Sequence, residues 1–139
     1  MSQPTRPLPG QDEPDTREFW AATKDHELRY QTCESCAAVV FHPRSHCTTC
    51  LSGRLRWNVS RGEGTIYTWS AVRQSYHPFF RARVPYAVAW IDLDEGFRML
   101  SNVVGVADPT RDLRIGQRVR LTWEDHDEVA IPLFEPIEA

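Results

Sequence analysis

Four cysteines, set as two short pairs, constrain this chain more than any other feature. The sequence reads Cys33-Glu-Ser-Cys36, then ten residues, then Cys47-Thr-Thr-Cys50. A two-residue gap lets both sulfurs of a pair reach one ion while the backbone amides between them point inward. Two such pairs can close a tetrahedral Zn²⁺ site with four thiolates. The spacer between them suits a tight hairpin. Zinc is favoured over iron for this donor set. Four thiolates leave no open coordination position, so no water can be activated. The expected role is structural, a source of folding energy. His42 and His46 flank the knuckles, but the sulfurs already saturate the ion. Both histidines are read as surface or supporting groups.

The compartment supports the metal reading. No run of about 18 apolar residues exists, so no membrane span is expected. The start, MSQPTRPLPGQDEP, is polar and proline-rich, without the apolar region of a signal peptide. A cytoplasmic location is expected, where thiols stay reduced and disulfides are the weaker reading. At 139 residues the chain suits one compact domain, or one with a small appendage.

Charge is segregated. The net charge is -3, but residues 37–91 carry seven arginines and one acid, Glu63. Residues 92–139 carry five arginines against eleven acids. The middle of the chain can meet an anion, and the tail repels one.

The pattern along the chain is mainly β. Residues 1–13 read as a flexible arm. Asp15-Thr-Arg-Glu18 matches a capping box ahead of Phe19, Trp20 and Ala22, and an N-terminal helix is expected over residues 14–25. The aromatic pair is large for so short a helix and needs an apolar surface to dock on. Residues 26–60 read as the zinc ribbon. A strand runs from His26 to Gln31 and a return strand from Ala38 to His42, ended by Pro43. Leu55, Trp57 and Val59 alternate with polar residues, as in a half-buried strand. From residue 61 to 139 five strand-like segments follow, GTIYTWSAVR, VPYAVAWIDLD, GFRMLSNVVG, QRVRLTWED and VAIPLF. Gly96 marks a hairpin and Gly116 opens the fourth strand. Five strands after a ribbon predict a small Greek-key barrel of the OB type, with a small sandwich as the alternative.

Few groups offer chemistry. Gly62-Glu-Gly64 is not a dinucleotide fingerprint: the third glycine position is Tyr67, and a strand rather than a helix follows. Ser75, His77 and Asp92 show no spacing that joins them. With the cysteines committed to metal, no obvious nucleophile remains, and catalysis by this chain alone is not expected. The loop Arg73–Arg83 holds three arginines, three aromatics and a histidine. Arginines among aromatics suit a partner surface, a phosphorylated adenine cofactor such as coenzyme A, or single-stranded nucleic acid. The acidic balance weighs against nucleic acid.

The whole pattern resembles a known family. It is carried by Phe19-Trp20, Leu28, the four cysteines, Phe41-His-Pro-Arg44, Leu55, Trp57, Gly62, Gly64-Thr-Ile-Tyr-Thr-Trp69, Pro85-Tyr86, Leu93-Asp-Glu-Gly96, Ile115-Gly116 and Pro132-Leu-Phe-Glu-Pro136. Together these are similar to the bacterial and archaeal family labelled domain of unknown function thirty-five. Arg61 departs from the serine often found before the first glycine, and no role depends on it. The resemblance implies an N-terminal helix, a rubredoxin-like zinc ribbon and a C-terminal five-stranded OB barrel. It implies association with acyl-CoA metabolism, in complexes with thiolase-fold proteins or lipid-transfer-protein-like aldolases of fatty-acid or steroid side-chain degradation. The expected assembly is a hetero-oligomer of two plus two, with catalytic residues on the partner. This chain would then be a non-catalytic accessory subunit that stabilises the partner and helps bind or channel acyl-CoA. Arg73, Arg81, Arg83, Tyr76 and His77 are the candidates for coenzyme A, and Phe19, Trp20, Phe79 and Phe80 for the partner interface. The alternative is a nucleic-acid-binding module, because ribbons and OB folds both serve that role.

Overall fold

The computed structural model describes residues 4–137; the remainder of the expected arm and the last two residues of the expected barrel segment lie outside it. A short helix, α1 (Arg17–Thr23), leads into a three-stranded sheet. Its strands are β1 (Arg29–Cys33), β2 (Val39–Val40) and β3 (Leu55–Val59), in the order β2-β1-β3. The rest is a closed five-stranded barrel: β4 (Glu63–Val72), β5 (Tyr86–Leu93), β6 (Arg98–Val103), β7 (Arg118–Asp125) and β8 (Ala130–Pro136). A one-turn helix, α2 (Pro78–Arg81), sits in the β4–β5 loop. The barrel order is β4-β5-β6-β8-β7, antiparallel except where β6 meets β8 at Val103 and Phe134.

Period-2 patterning accounts for the barrel. Ala87, Ala89, Ile91 and Leu93 of β5 point inward and are buried, while Trp90 and Asp92 between them face out. Phe134, Val119, Met99 and Ile66 complete the same core. Both glycines of Gly62-Glu-Gly64 are needed where β4 enters the barrel. Gly62 holds φ +76°, and a Cβ there would stand 2.7 Å from that of Leu121. At Gly64 a Cβ would stand 2.5 Å from the carbonyl oxygen of Asp92, so only glycine lets β4 and β5 approach this closely.

Ribbon, helix and barrel share one core. Tyr30 of β1 stacks on Phe97 at 5.0 Å between ring centres, and Phe41 meets Phe97 at 4.7 Å. Phe41 in turn meets Phe19 of α1 at 5.8 Å. Thr23, fully buried, accepts a hydrogen bond from the Ala130 amide at 3.0 Å and donates to the Trp20 carbonyl at 2.6 Å, which fastens α1 to β8.

Three local expectations change. The helix is shorter than residues 14–25, and the capping box does not form: Thr16 occupies the N-cap position without a side-chain hydrogen bond. Glu18 instead accepts from Arg29 at 2.9 Å, a tertiary contact that outcompetes the local one. The first ribbon strand starts at Arg29 rather than His26, because His26 adopts φ +59° in the turn that leaves the helix. The return strand contracts from residues 38–42 to Val39–Val40.

Candidate functional site

The cysteine pairs converge at the tip of the ribbon. Each pair is a tight turn closed by a backbone bond, Ala37 N–H to the Cys33 carbonyl at 2.8 Å and Leu51 N–H to the Cys47 carbonyl at 3.0 Å. The amides of Ser35 and Thr49 each point at the first sulfur of their pair, at 3.3 Å. All four sulfurs lie within 4.8 Å of one another. Cys33 and Cys50 are 3.6 Å apart, as are Cys36 and Cys47. A disulfide requires about 2.05 Å, so these are not bonded pairs. Zn–S bonds of about 2.3 Å at tetrahedral angles put sulfurs about 3.8 Å apart, which the cluster matches. His42 and His46 stand outside it.

The thiol chemistry calls for a cation. The amides of Cys50 and Thr49 draw Cys47 down to about 6. For Cys33, burial opposes ionisation, but the amides of Cys36 and Ser35 and the neighbouring sulfurs outweigh it and lower the pKa. For Cys36 the Ala38 amide favours the thiolate, yet burial and the three other sulfurs push it up to about 12. Four thiolates cannot share so small a volume without a positive charge among them, and a divalent ion supplies it. Cys33, Cys36, Cys47 and Cys50 would hold Zn²⁺, and the metal would tie the two turns of the ribbon together.

The arginine-rich loop folds largely on itself. His77 caps α2 by accepting the Phe79 amide at 3.1 Å, and Pro78 follows at the first helical position. Arg81 donates to the carbonyls of Ser75 (3.4 Å) and Tyr76 (2.7 Å). Arg83 lies over the Phe79 ring at 4.0 Å. Tyr76 is 83 % exposed. Of the five coenzyme A candidates, Arg73, Tyr76 and Arg81 border one hollow of about 370 Å³ and Arg83 faces another; His77 lines neither.

The interface candidates also divide. Phe19 and Phe79 are 5 % and 8 % exposed, their rings packed within this chain. Their aromatic surface is used on the chain's own fold, and only Trp20 and Phe80, both half-buried, keep an accessible edge. Phe80 lines a groove of about 300 Å³ with Arg83, Tyr86, Asn102, Val104 and Leu133. Trp20 borders an adjoining hollow of about 240 Å³, and the two meet at Arg6, Asn102 and Leu133. The lining of this groove comes from β5, β6, β7 and β8 and from the β4–β5 loop, one of the loops with which OB folds commonly take ligands. Sequence reasoning missed Tyr86, Asn102, Leu133 and Arg6 as its components. They come from four separate segments, and no linear spacing announces them.

Two family models cover the chain in succession. The rubredoxin-like zinc ribbon domain of ChsH2 matches residues 20–56, and the C-terminal OB-fold domain of ChsH2 matches residues 57–124. A DUF35 domain-containing scaffold protein of Methanocaldococcus jannaschii is 31% identical over 114 residues, covering 76% of this chain and 79% of that protein. This chain belongs to the DUF35 family. Its ribbon carries the structural zinc site of that family's rubredoxin-like domain. The fold agrees along nearly its whole length with a solved structure described as the Ltp2-ChsH2(DUF35) aldolase, at TM-score 0.81 and 31% identity, covering 94% of this chain and 98% of that one. The 3-oxo-4,17-pregnadiene-20-carboxyl-CoA hydratase alpha subunit of Mycobacterium tuberculosis is 33% identical over 124 residues, 89% of this chain. The chain spans only 38% of that relative's length. The junction of the two ChsH2 models falls inside β3, which pairs with β1 of the ribbon along five residues. Among the described residues, no helix is long and apolar enough to cross a membrane.

Proposed function

We propose that this chain is a non-catalytic accessory subunit of a cytoplasmic thiolase-like or aldolase complex that acts on acyl-CoA, as in fatty-acid or steroid side-chain degradation. The observation that carries the reading is the near full-length likeness to the DUF35 chain of the Ltp2-ChsH2 aldolase. Relatives named as alpha subunits of CoA-thioester hydratases support the acyl-CoA context. The catalytic groups lie on the partner. This chain stabilises the partner and lines part of the acyl-CoA path. The groove bordered by Phe80, Tyr86, Val104 and Leu133 is the apolar surface for the acyl group, with Arg83 at its rim for negative charge. Trp20 and Phe80 meet the partner.

The test is co-expression with a thiolase-fold protein encoded beside it in the native host, followed by native mass spectrometry. The expected product is a complex of two copies of each chain. A chain that remains alone would overturn the reading. The nucleic-acid alternative has less support, because the chain carries a net charge of -3 and phosphate contacts dominate that affinity.

A further inference from the structure

The groove is crossed by part of the chain itself. Arg6 reaches in from the N-terminal arm and pairs with Glu124 at 3.1 Å, its side chain 13 % exposed. Its guanidinium also lies over the rings of Phe80 and Phe79, at 5.3 and 5.5 Å. Five residues on, Gln11 donates to Glu128 at 2.9 Å. Both fastenings fall on the acidic β7–β8 hairpin and its flank. Glu124 is also in contact with His126 at 3.1 Å, so it is held ready on the barrel side.

We propose that residues 4–11 form a removable strap, closed by Arg6, which acyl-CoA must displace to enter the groove. The proposal rests on the acyl-CoA reading above and concerns the regulation of that same site.

Two sets of observations support it. The first explains why the arm lies there. Pro4, Pro7 and Pro9 bias it toward an extended polyproline form, which lowers the entropy cost of laying it across the barrel. The second explains why it can leave. Among the described residues, no backbone hydrogen bond joins residues 4–12 to the barrel. Leu8, the arm's one large apolar side chain in this stretch, borders a hollow with Phe79 and Arg83 but remains 46 % exposed. A permanent wall would bury its apolar residue fully and pair its backbone; this arm's polar fastenings to the barrel are side-chain contacts at two points. Such an occupant lowers the ligand's apparent affinity by the fraction of time the groove is open. When the arm lifts, Arg6 vacates the groove. Arg83, held over Phe79 at 4.0 Å, stays at the rim.

Calorimetric titration of decanoyl-CoA into the zinc-loaded full chain, Arg6→Ala and Glu124→Gln tests this. Unchanged zinc content and thermal midpoint establish that each variant is folded. Both substitutions open the strap, and each should bind about fivefold more tightly than the parent chain. Binding by the variants with none by the parent would support the proposal equally. Weaker binding by Arg6→Ala would make Arg6 a ligand contact and overturn the strap. Equal affinity in all three would overturn the strap and leave the acyl-CoA reading standing. No binding by any of the three would overturn both.

Discussion

The ribbon and the barrel reach order by different means. The ribbon's own buried cluster is Cys33, Val40 and Cys47, of which two are metal ligands. The main core draws buried side chains from every barrel strand, with Phe19 and Leu28 added from the N-terminal segment. A three-residue cluster cannot offset the entropy of ordering a ribbon that spans residues 26–60, whereas a closed barrel with a continuous apolar interior can. The two are joined by Phe97, which receives Tyr30 and Phe41 from the ribbon side. Metal and apolar burial are not redundant here. The metal orders the cysteine turns, and apolar burial orders the barrel and the ribbon side chains packed on it.

The sharpest break in that comparison is removal of the metal. Structural zinc contributes about 10–16 kcal/mol in small zinc modules. A strong chelator, or Cys47→Ser, should unfold the ribbon while the barrel strands persist with a lowered midpoint. Zinc content read against far-UV circular dichroism checks this. A ribbon that keeps its fold without metal would contradict the structural role.

Next in size is the joint. Phe97→Ala removes the ring on which both ribbon aromatics rest and should cost about 3–5 kcal/mol by denaturant unfolding. The coupling is directional: Phe97→Ala should also speed zinc loss to a chelator, whereas Phe134→Ala, in the barrel interior, should lower stability without changing that rate.

A smaller effect sharpens the ribbon side. Ala37 and Leu51 follow the second cysteine of each pair and both adopt φ +66°. That region favours glycine, and Leu51 is 76 % exposed, with little packing to lose. Leu51→Gly should therefore raise stability or zinc retention, by about 1 kcal/mol.

The smallest effect belongs to the barrel surface. The Arg118 guanidinium grips Asp94 through two bonds of 2.7 Å and holds its carboxyl below the usual carboxylate range. A depressed folded-state pKa gives stability that is present above the unfolded value, near pH 4, and is lost as pH falls through the lower folded value. Asp94→Asn should lower stability slightly at neutral pH, and its difference from the parent should vanish as pH falls below about 4.

Much of the architecture was legible in the sequence because it is written at short range. The cysteine spacing gives the ribbon, and period-2 alternation with turn glycines gives five barrel strands close to those observed. What was not legible depends on distant partners. The capping box at Asp15–Glu18 is locally sound, but Arg29 takes the glutamate. Phe19 reads as an aromatic in need of a docking surface, and only the folded chain reveals that Phe41 supplies it. The groove is the extreme case. Arg6 and Glu124 stand at opposite ends of the sequence and meet only when the barrel has closed.

The rings of Tyr30, Phe97, Phe41 and Phe19 run without a break from β1 through the barrel rim to the helix. A linker would let ribbon and barrel swivel, and a partner would then have to freeze that motion on docking. The aromatic file removes the freedom in advance. Whatever grips one end of this molecule thereby sets the orientation of the other.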